Sequence, residues 1–296
     1  FDGTPYALPL DIHLFGMYYN RALFRDAGLV DADGEPRAPE TRDEFVEALR
    51  ALTRDLDGDG ATDQWGFVMT WMRVNAASIM AQFGGDFLSP DLSRCTLADP
   101  RNAEALQTFV DLVQKERVAP SPENIDAWIG FRQGKVGIAF EGIWMLADLR
   151  KQTDLDVGAA PLPVLGETAG TWADAHVLCL PPGLEGRALE GAWTFIRYLS
   201  DHGLDWAEAG PIPPRKSLRD TPRFEGMTVQ RAFARQIPDA RFYPGAPYCL
   251  EMLTEFDVAV ERVFRGSATP EAALRSAEQK VDEIIARDRA AWETVP

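Results

Sequence analysis

Apolar and polar residues along this chain recur with two periods, and the switches between them outline its elements. Near the start, Tyr6, Leu8 and Leu10, and then Phe15, Met17 and Tyr19, recur every second residue. This predicts two strands whose join holds Asp11 and His13. A short helix is predicted over Arg21–Ala27, closed by Gly28. Thr41 with Glu44 three residues on has the pattern of a capping box, and Phe45, Leu49, Leu52 and Leu56 then follow at helical spacing. A helix with one buried stripe is expected there. The run WGFVM reads as a strand leading into a helix that ends at Gly84-Gly85, and amphipathic helices are predicted over Arg101–Arg117 and Pro122–Gln133.

The stretch VGIAFEGIWMLADL, from Val136 to Leu149, is the predicted centre of the molecule. Val136, Ile138 and Phe140 make a buried strand that turns at Glu141-Gly142, which puts Trp144 in the first turn of a helix. Beyond a further strand, VGAAPLP, the residues Trp172, Asp174 and His176 alternate, so a strand there turns all three to one face. A helix over Gly186–Ser200 is expected to bury Leu189, Trp193, Ile196 and Leu199. The loop after it is stiffened around Arg215 by Pro211, Pro213 and Pro214. Two long helices, Glu251–Arg265 and Pro270–Arg289, close the chain, the last capped by Thr269 with Pro270 in its first position. Strands alternating with helices argue an α/β architecture.

Composition narrows the partners. At 296 residues the chain is long enough for two domains. Its formal net charge is −16, which disfavours nucleic acid, since that partner needs a basic face to displace counterions. A neutral ligand fits this balance best. Cys95, Cys179 and Cys249 form no CxxC pair and support neither a zinc ribbon nor a redox motif. No apolar run approaches the length of a membrane span.

Candidate chemistry falls at the carboxyl ends of predicted strands, where open α/β sheets bind ligands. Trp144, and more loosely Trp71, offer a flat apolar face and one N–H donor, which suits a sugar ring; packing between helices is the alternative for each. Trp172, Asp174 and His176 are read as crevice residues, whereas His13 and His176 are too few to argue for zinc. Arg215 is either a ligand clamp or half of a surface ion pair. In DLDGDGATD, the carboxylates of Asp55, Asp57, Asp59 and Asp63, with Ala61 at the seventh position, match the front half of a calcium loop. The twelfth position, usually Glu, is Gly66. Either a structural Ca²⁺ or a solvated acidic turn is expected.

The order of these landmarks resembles one family. YALPLD, MYYNRALFRDAGL, ETRDEFVEALRALT, QFGGDFL, FRQGKVGIAFEGIWML, GTWADAHVL, AGPIPPRKSL and GSATPEAALRSAEQKVDEI follow one another as in the extracellular solute-binding proteins of family 1. These are sugar receptors of ABC importers related to maltose-binding protein. The resemblance implies a periplasmic-binding-protein-like two-lobe fold of type II, with its first lobe incomplete. Members usually carry on the order of 100 further residues of βα units before YALPLD, at ~30 per unit. The implied division is 1–10 as a remnant of lobe 1, 11–170 as lobe 2, 171–242 as partial lobe 1, and 243–296 as helices packed on lobe 2. Trp144 matches the position that stacks on sugar, although EGIW departs from the more usual Gly-Pro-Trp. Asp11 and His13 lie at the first crossover, Trp172, Asp174 and His176 at the second, and Arg215 follows. The implied partners are a carbohydrate and ABC permease subunits. A monomer without a catalytic cofactor is expected, periplasmic or extracellular, with a lipid anchor on a segment not included here. Two rivals stand beside it: a glycoside hydrolase using Glu141 and Asp174 as paired carboxylates, and a receptor for a polyamine or peptide.

Overall fold

The computed structural model describes residues 4–120 and 127–293. Strand β1 (Leu8–Pro9) is short, and β2 (His13–Asn20) is the spine of the molecule. All eight residues of β2 are buried, because its two faces enter two different cores. Helix α1 (Arg21–Asp26) starts on the Asn20 side chain, which accepts from the Leu23 amide. Helix α2 (Arg42–Leu52) has the full Thr41/Glu44 capping box. Phe45, Leu49 and Leu52 are buried as expected, whereas Leu56 lies beyond the helix end and is 64% exposed.

Next come β3 (Trp65–Met69), α3 (Met72–Gln82) and α4 (Pro100–Gln114). The helix expected over Pro122–Gln133 is described from Ala127 to Arg132 as α5; 121–126 lie outside the described residues. Strand β4 (Val136–Gly142) leads through one 3-10 turn, Ile143–Met145, into α6 (Leu146–Leu149). Then follow β5 (Val157–Ala160), β6 (Thr171–Asp174), β7 (Val177–Leu178), α7 (Gly186–Asp201) and α8 (Gly203–Ala207). Three single-turn to two-turn helices, α9 (Lys216–Arg219), α10 (Pro222–Glu225) and α11 (Thr228–Ala234), precede β8 (Ala240–Arg241). The long helices α12 (Cys249–Phe264) and α13 (Pro270–Glu293) finish the chain.

The main sheet runs β3-β4-β2-β6-β8, with β5 also paired to β2. Only β3–β4 and β6–β8 are parallel. Strand β2 pairs β5 over Met17–Asn20 but β6 at His13 and Leu14, so one strand passes from one part of the sheet to another. Side chains alternate across it. Phe15, Met17 and Tyr19 enter a core with α2, α3, α4, α12 and α13, in which the Phe67 ring stacks 6.2 Å from Phe109 and sits 4.8 Å from Phe140. Leu14 and Tyr18 enter a second core with Phe131, Leu204, Phe224, Met227 and Phe233. Gly16 permits that second layer, because a Cβ there would lie 2.6 Å from the Phe233 ring.

Within residues 171–242, α8, α10 and α11 lie on the second face of the β2–β4 sheet, while β7 pairs with β1 through Leu8 and Leu178. The expected buried stripe of α7 is corrected. Among its residues only Ile196 is buried, and Trp193 is 38% exposed. The C-terminal helices do pack on α3 and α4.

Candidate functional site

Three stretches distant in sequence meet at the mouth of the sheet: the start of β2, the end of β6, and the approach to α12. Between them lies a cleft of about 630 Å³ lined by His13, Trp71, Arg73, Trp144, Trp172, Asp174, His176, Tyr243 and Cys249, with Leu250 and Leu253. Six of the eight expected ligand residues line it: His13, Trp71, Trp144, Trp172, Asp174 and His176.

Trp144 is the centrepiece. The 3-10 turn after β4 lays its indole back over Gly142, where a Cβ would sit 2.1 Å from the ring. Trp71 and Trp172 stand almost perpendicular to it on two sides, at 5.8 Å and 86° and at 5.9 Å and 89°. The His13 ring lies 5.8 Å from Trp144, and the Tyr243 ring 5.8 Å from Trp172. The result is an aromatic box with a floor and walls. Trp71 caps α3 in the left-handed region, with φ +43°, a conformation that costs a non-glycine residue about 1–2 kcal/mol. That turn leaves Trp71 55% exposed.

The polar groups are mostly donors. The Nε1–H of Trp172 and the hydroxyl of Tyr243 are buried without a partner, a state that costs free energy until an acceptor arrives. Arg73 reaches across to Asp257 at 2.6 Å. The expected alternation of Trp172, Asp174 and His176 brings all three to the cleft, but at different depths. Trp172, in the wall, is 8% exposed, while Asp174 and His176 lie exposed at the rim because β6 ends at Asp174.

Two expected residues play other parts. Asp11 is fully buried and does not line the cleft. It accepts from the His176 amide at 2.9 Å and Trp206 Nε1 at 2.7 Å, and lies 3.1 Å from His13 Nε2 and 2.9 Å from His176 Nδ1. A carboxylate has about four lone-pair sites, so none remains for a ligand hydroxyl. Burial opposes its ionisation, yet these hydrogen bonds outweigh burial and hold the carboxyl well below the usual range. Arg215 precedes α9 and forms a surface ion pair with Asp201, outside the lining of the cleft. Arg73, Tyr243 and Cys249 escaped the sequence reading. Their only signal was position, since Arg73 follows Trp71 by two residues and Tyr243 precedes α12.

Glu141 sits beneath the box rather than in it, 1% exposed and absent from the lining. Burial pushes its carboxyl up to about 7, although the Gly142 amide, Thr70 and Trp71 hydrogen-bond to it. In the acidic turn, carboxylate oxygens of Asp55, Asp57 and Asp63 lie within 4.8 Å of one another. Asp59 turns instead to accept from the Ala61 amide at 2.7 Å.

A cleft of this kind at a crossover of sheet strands belongs with known binding proteins. The family described as bacterial extracellular solute-binding protein matches residues 1–228. The chain belongs to this family. A relative known as a binding protein, from Brucella abortus (strain 2308), is 25% identical over 299 residues, covering 96% of this chain and 69% of its own. The sugar-binding protein MalE of Xanthomonas citri shares the fold with a TM-score of 0.82 at 21% identity, over 100% of this chain and 74% of its own. The cyclic alpha-maltosyl-1,6-maltose binding protein of Arthrobacter globiformis aligns with a TM-score of 0.78 at 25% identity, over 96% and 73%. This solute-binding chain therefore has the α/β fold of the MalE-like periplasmic binding proteins.

Proposed function

We propose that this solute-binding protein takes a neutral sugar or oligosaccharide into the aromatic box and presents it to an ABC permease outside the cytoplasm. The observation that carries this reading is the arrangement of Trp71, Trp144 and Trp172 about one opening, with Trp172 Nε1 and the Tyr243 hydroxyl unpaired beside it. Indole faces cover the apolar face of a pyranose, and donors at the edge meet its ring and hydroxyl oxygens. The Arthrobacter globiformis protein, named for a cyclic maltose-based sugar, supports the same ligand class. Among the described residues, no helix is long and apolar enough to cross a membrane, and a periplasmic or extracellular place follows the family.

Two rival readings meet specific objections. Glycoside hydrolysis needs two carboxyls flanking the bond, whereas Glu141 is buried beneath the cleft and Asp174 stands alone at its rim. A polyamine receptor needs acceptors, and among the described residues Asp174 is the single carboxylate in the lining. A thermal-shift screen of mono- and oligosaccharides against polyamines tests the proposal. Stabilisation by at least one sugar and by no polyamine is expected; the reverse pattern overturns it.

A further inference from the structure

We infer that Asp11, His13 and His176 form a binding site for one borderline transition-metal ion, of the Zn²⁺ class, at the edge of the cleft. His13 Nε2 lies 3.1 Å from Asp11 Oδ1, His176 Nδ1 lies 2.9 Å from Asp11 Oδ2, and the two ring nitrogens lie 2.9 Å apart. Two imidazole nitrogens and a buried carboxylate thus converge within the reach of one cation, which can take a lone pair from each of the three side chains.

The dimensions agree with that reading. Zinc–nitrogen bonds of 2.0–2.1 Å in a tetrahedron set ligand atoms ~3.3 Å apart; the two ring nitrogens, 2.9 Å apart, need to open by only a few tenths of an ångström, and each already lies 2.9–3.1 Å from one oxygen of Asp11. Outer support is present as well. Trp206 Nε1 at 2.7 Å and the His176 amide at 2.9 Å each hold one oxygen of Asp11, the kind of contact that orients ligating carboxylates. Two imidazoles and one carboxylate suit Zn²⁺, with Ni²⁺ and Cu²⁺ as competitors, and not Ca²⁺ or Mg²⁺, which take oxygen sets. His13 and His176 both line the cleft, so the fourth position opens beside Trp144 and takes a water or a solute oxygen. Two histidines were too few for zinc in the sequence alone. The fold supplies the missing ligand by bringing Asp11 between them.

The test does not depend on the identity of the solute. Chelator-treated protein is titrated with ZnCl₂ in a calorimeter and with Co²⁺ in the visible range. One equivalent of zinc and a tetrahedral cobalt spectrum are expected. His176→Ala removes a side chain that is 64% exposed, so the fold survives. Because losing an outer contact already costs 10–100-fold in metal affinity, losing this ligand costs about 100-fold or more. His13→Ala gives the same loss, and Asp57→Ala in the acidic turn gives none. Absence of zinc binding by the native protein, or zinc binding unchanged in His176→Ala, overturns the inference.

Discussion

Removing the Trp71 ring gives the sharpest measure of the aromatic box. Trp71 keeps 55% of its surface exposed, against 8% for Trp172. A tryptophan has on the order of 250 Å² to bury, so roughly 130 Å² of Trp71 is free to meet a ligand. Covering most of that area at ~25 cal/mol per Å² is worth about 3 kcal/mol, or about 100-fold in Kd. Trp172 has only roughly 20 Å² to offer on the same scale, worth about 0.5 kcal/mol. Trp71→Gly removes the face while keeping the backbone conformation. Glycine occupies the left-handed region freely, so the φ +43° of this position no longer costs about 1 kcal/mol. The variant is expected to bind its sugar about 100-fold more weakly in calorimetry. Arg215→Ala, in the same assay, stays within about twofold. A Trp71→Gly affinity within about threefold of native refutes the claim that this face carries binding.

Other outcomes follow from single groups. Glu141 is raised by burial to about 7, so its neutral form is favoured by folding. Its contribution to stability is therefore full below about 4.5, the unfolded value, and is lost as pH rises through 7. The stability difference between Glu141→Gln and native should grow over that window by about 3 kcal/mol in the variant's favour, read from denaturant titrations at each pH; a flat difference contradicts the burial argument. Gly142→Ala places a methyl where the Trp144 ring lies 2.1 Å away; shifting the floor of the box should weaken binding by about tenfold, with overpacking costing about 1–3 kcal/mol of stability. If the acidic turn holds calcium, calorimetry shows heat with Ca²⁺ that Asp57→Ala abolishes, whereas a silent titration leaves a solvated turn.

Local patterns were legible where one element decides the outcome. The Thr41/Glu44 box, the alternation of Phe15, Met17 and Tyr19 in β2 and the turn at Gly142 each depend on neighbours in sequence, and each formed as the pattern predicts. Residues whose role depends on remote partners were harder to read. Leu56 keeps helical spacing with Leu52, yet the helix ends before it and the aspartates that follow draw the chain into turns. Trp193 repeats at the right interval on α7, but too few described residues pack against that helix to cover it. Asp11 was legible as a crossover residue and illegible as a clasp, since Trp206 reaches it from 195 positions away. Tyr243 gave no periodic signal because it stands in a loop.

Strand β2 serves as an axle rather than a panel. Its far end is laddered on both sides by β4 and β5, while its near end is held by β6 and by the bridge from Ile12 to Ile212. Turning one part of the sheet about the other cannot be absorbed along Met17–Asn20 without tearing two ladders at once. Any molecule resting on Trp144 therefore lies over the one strand that both parts of the sheet share, so its contacts bear on both at once.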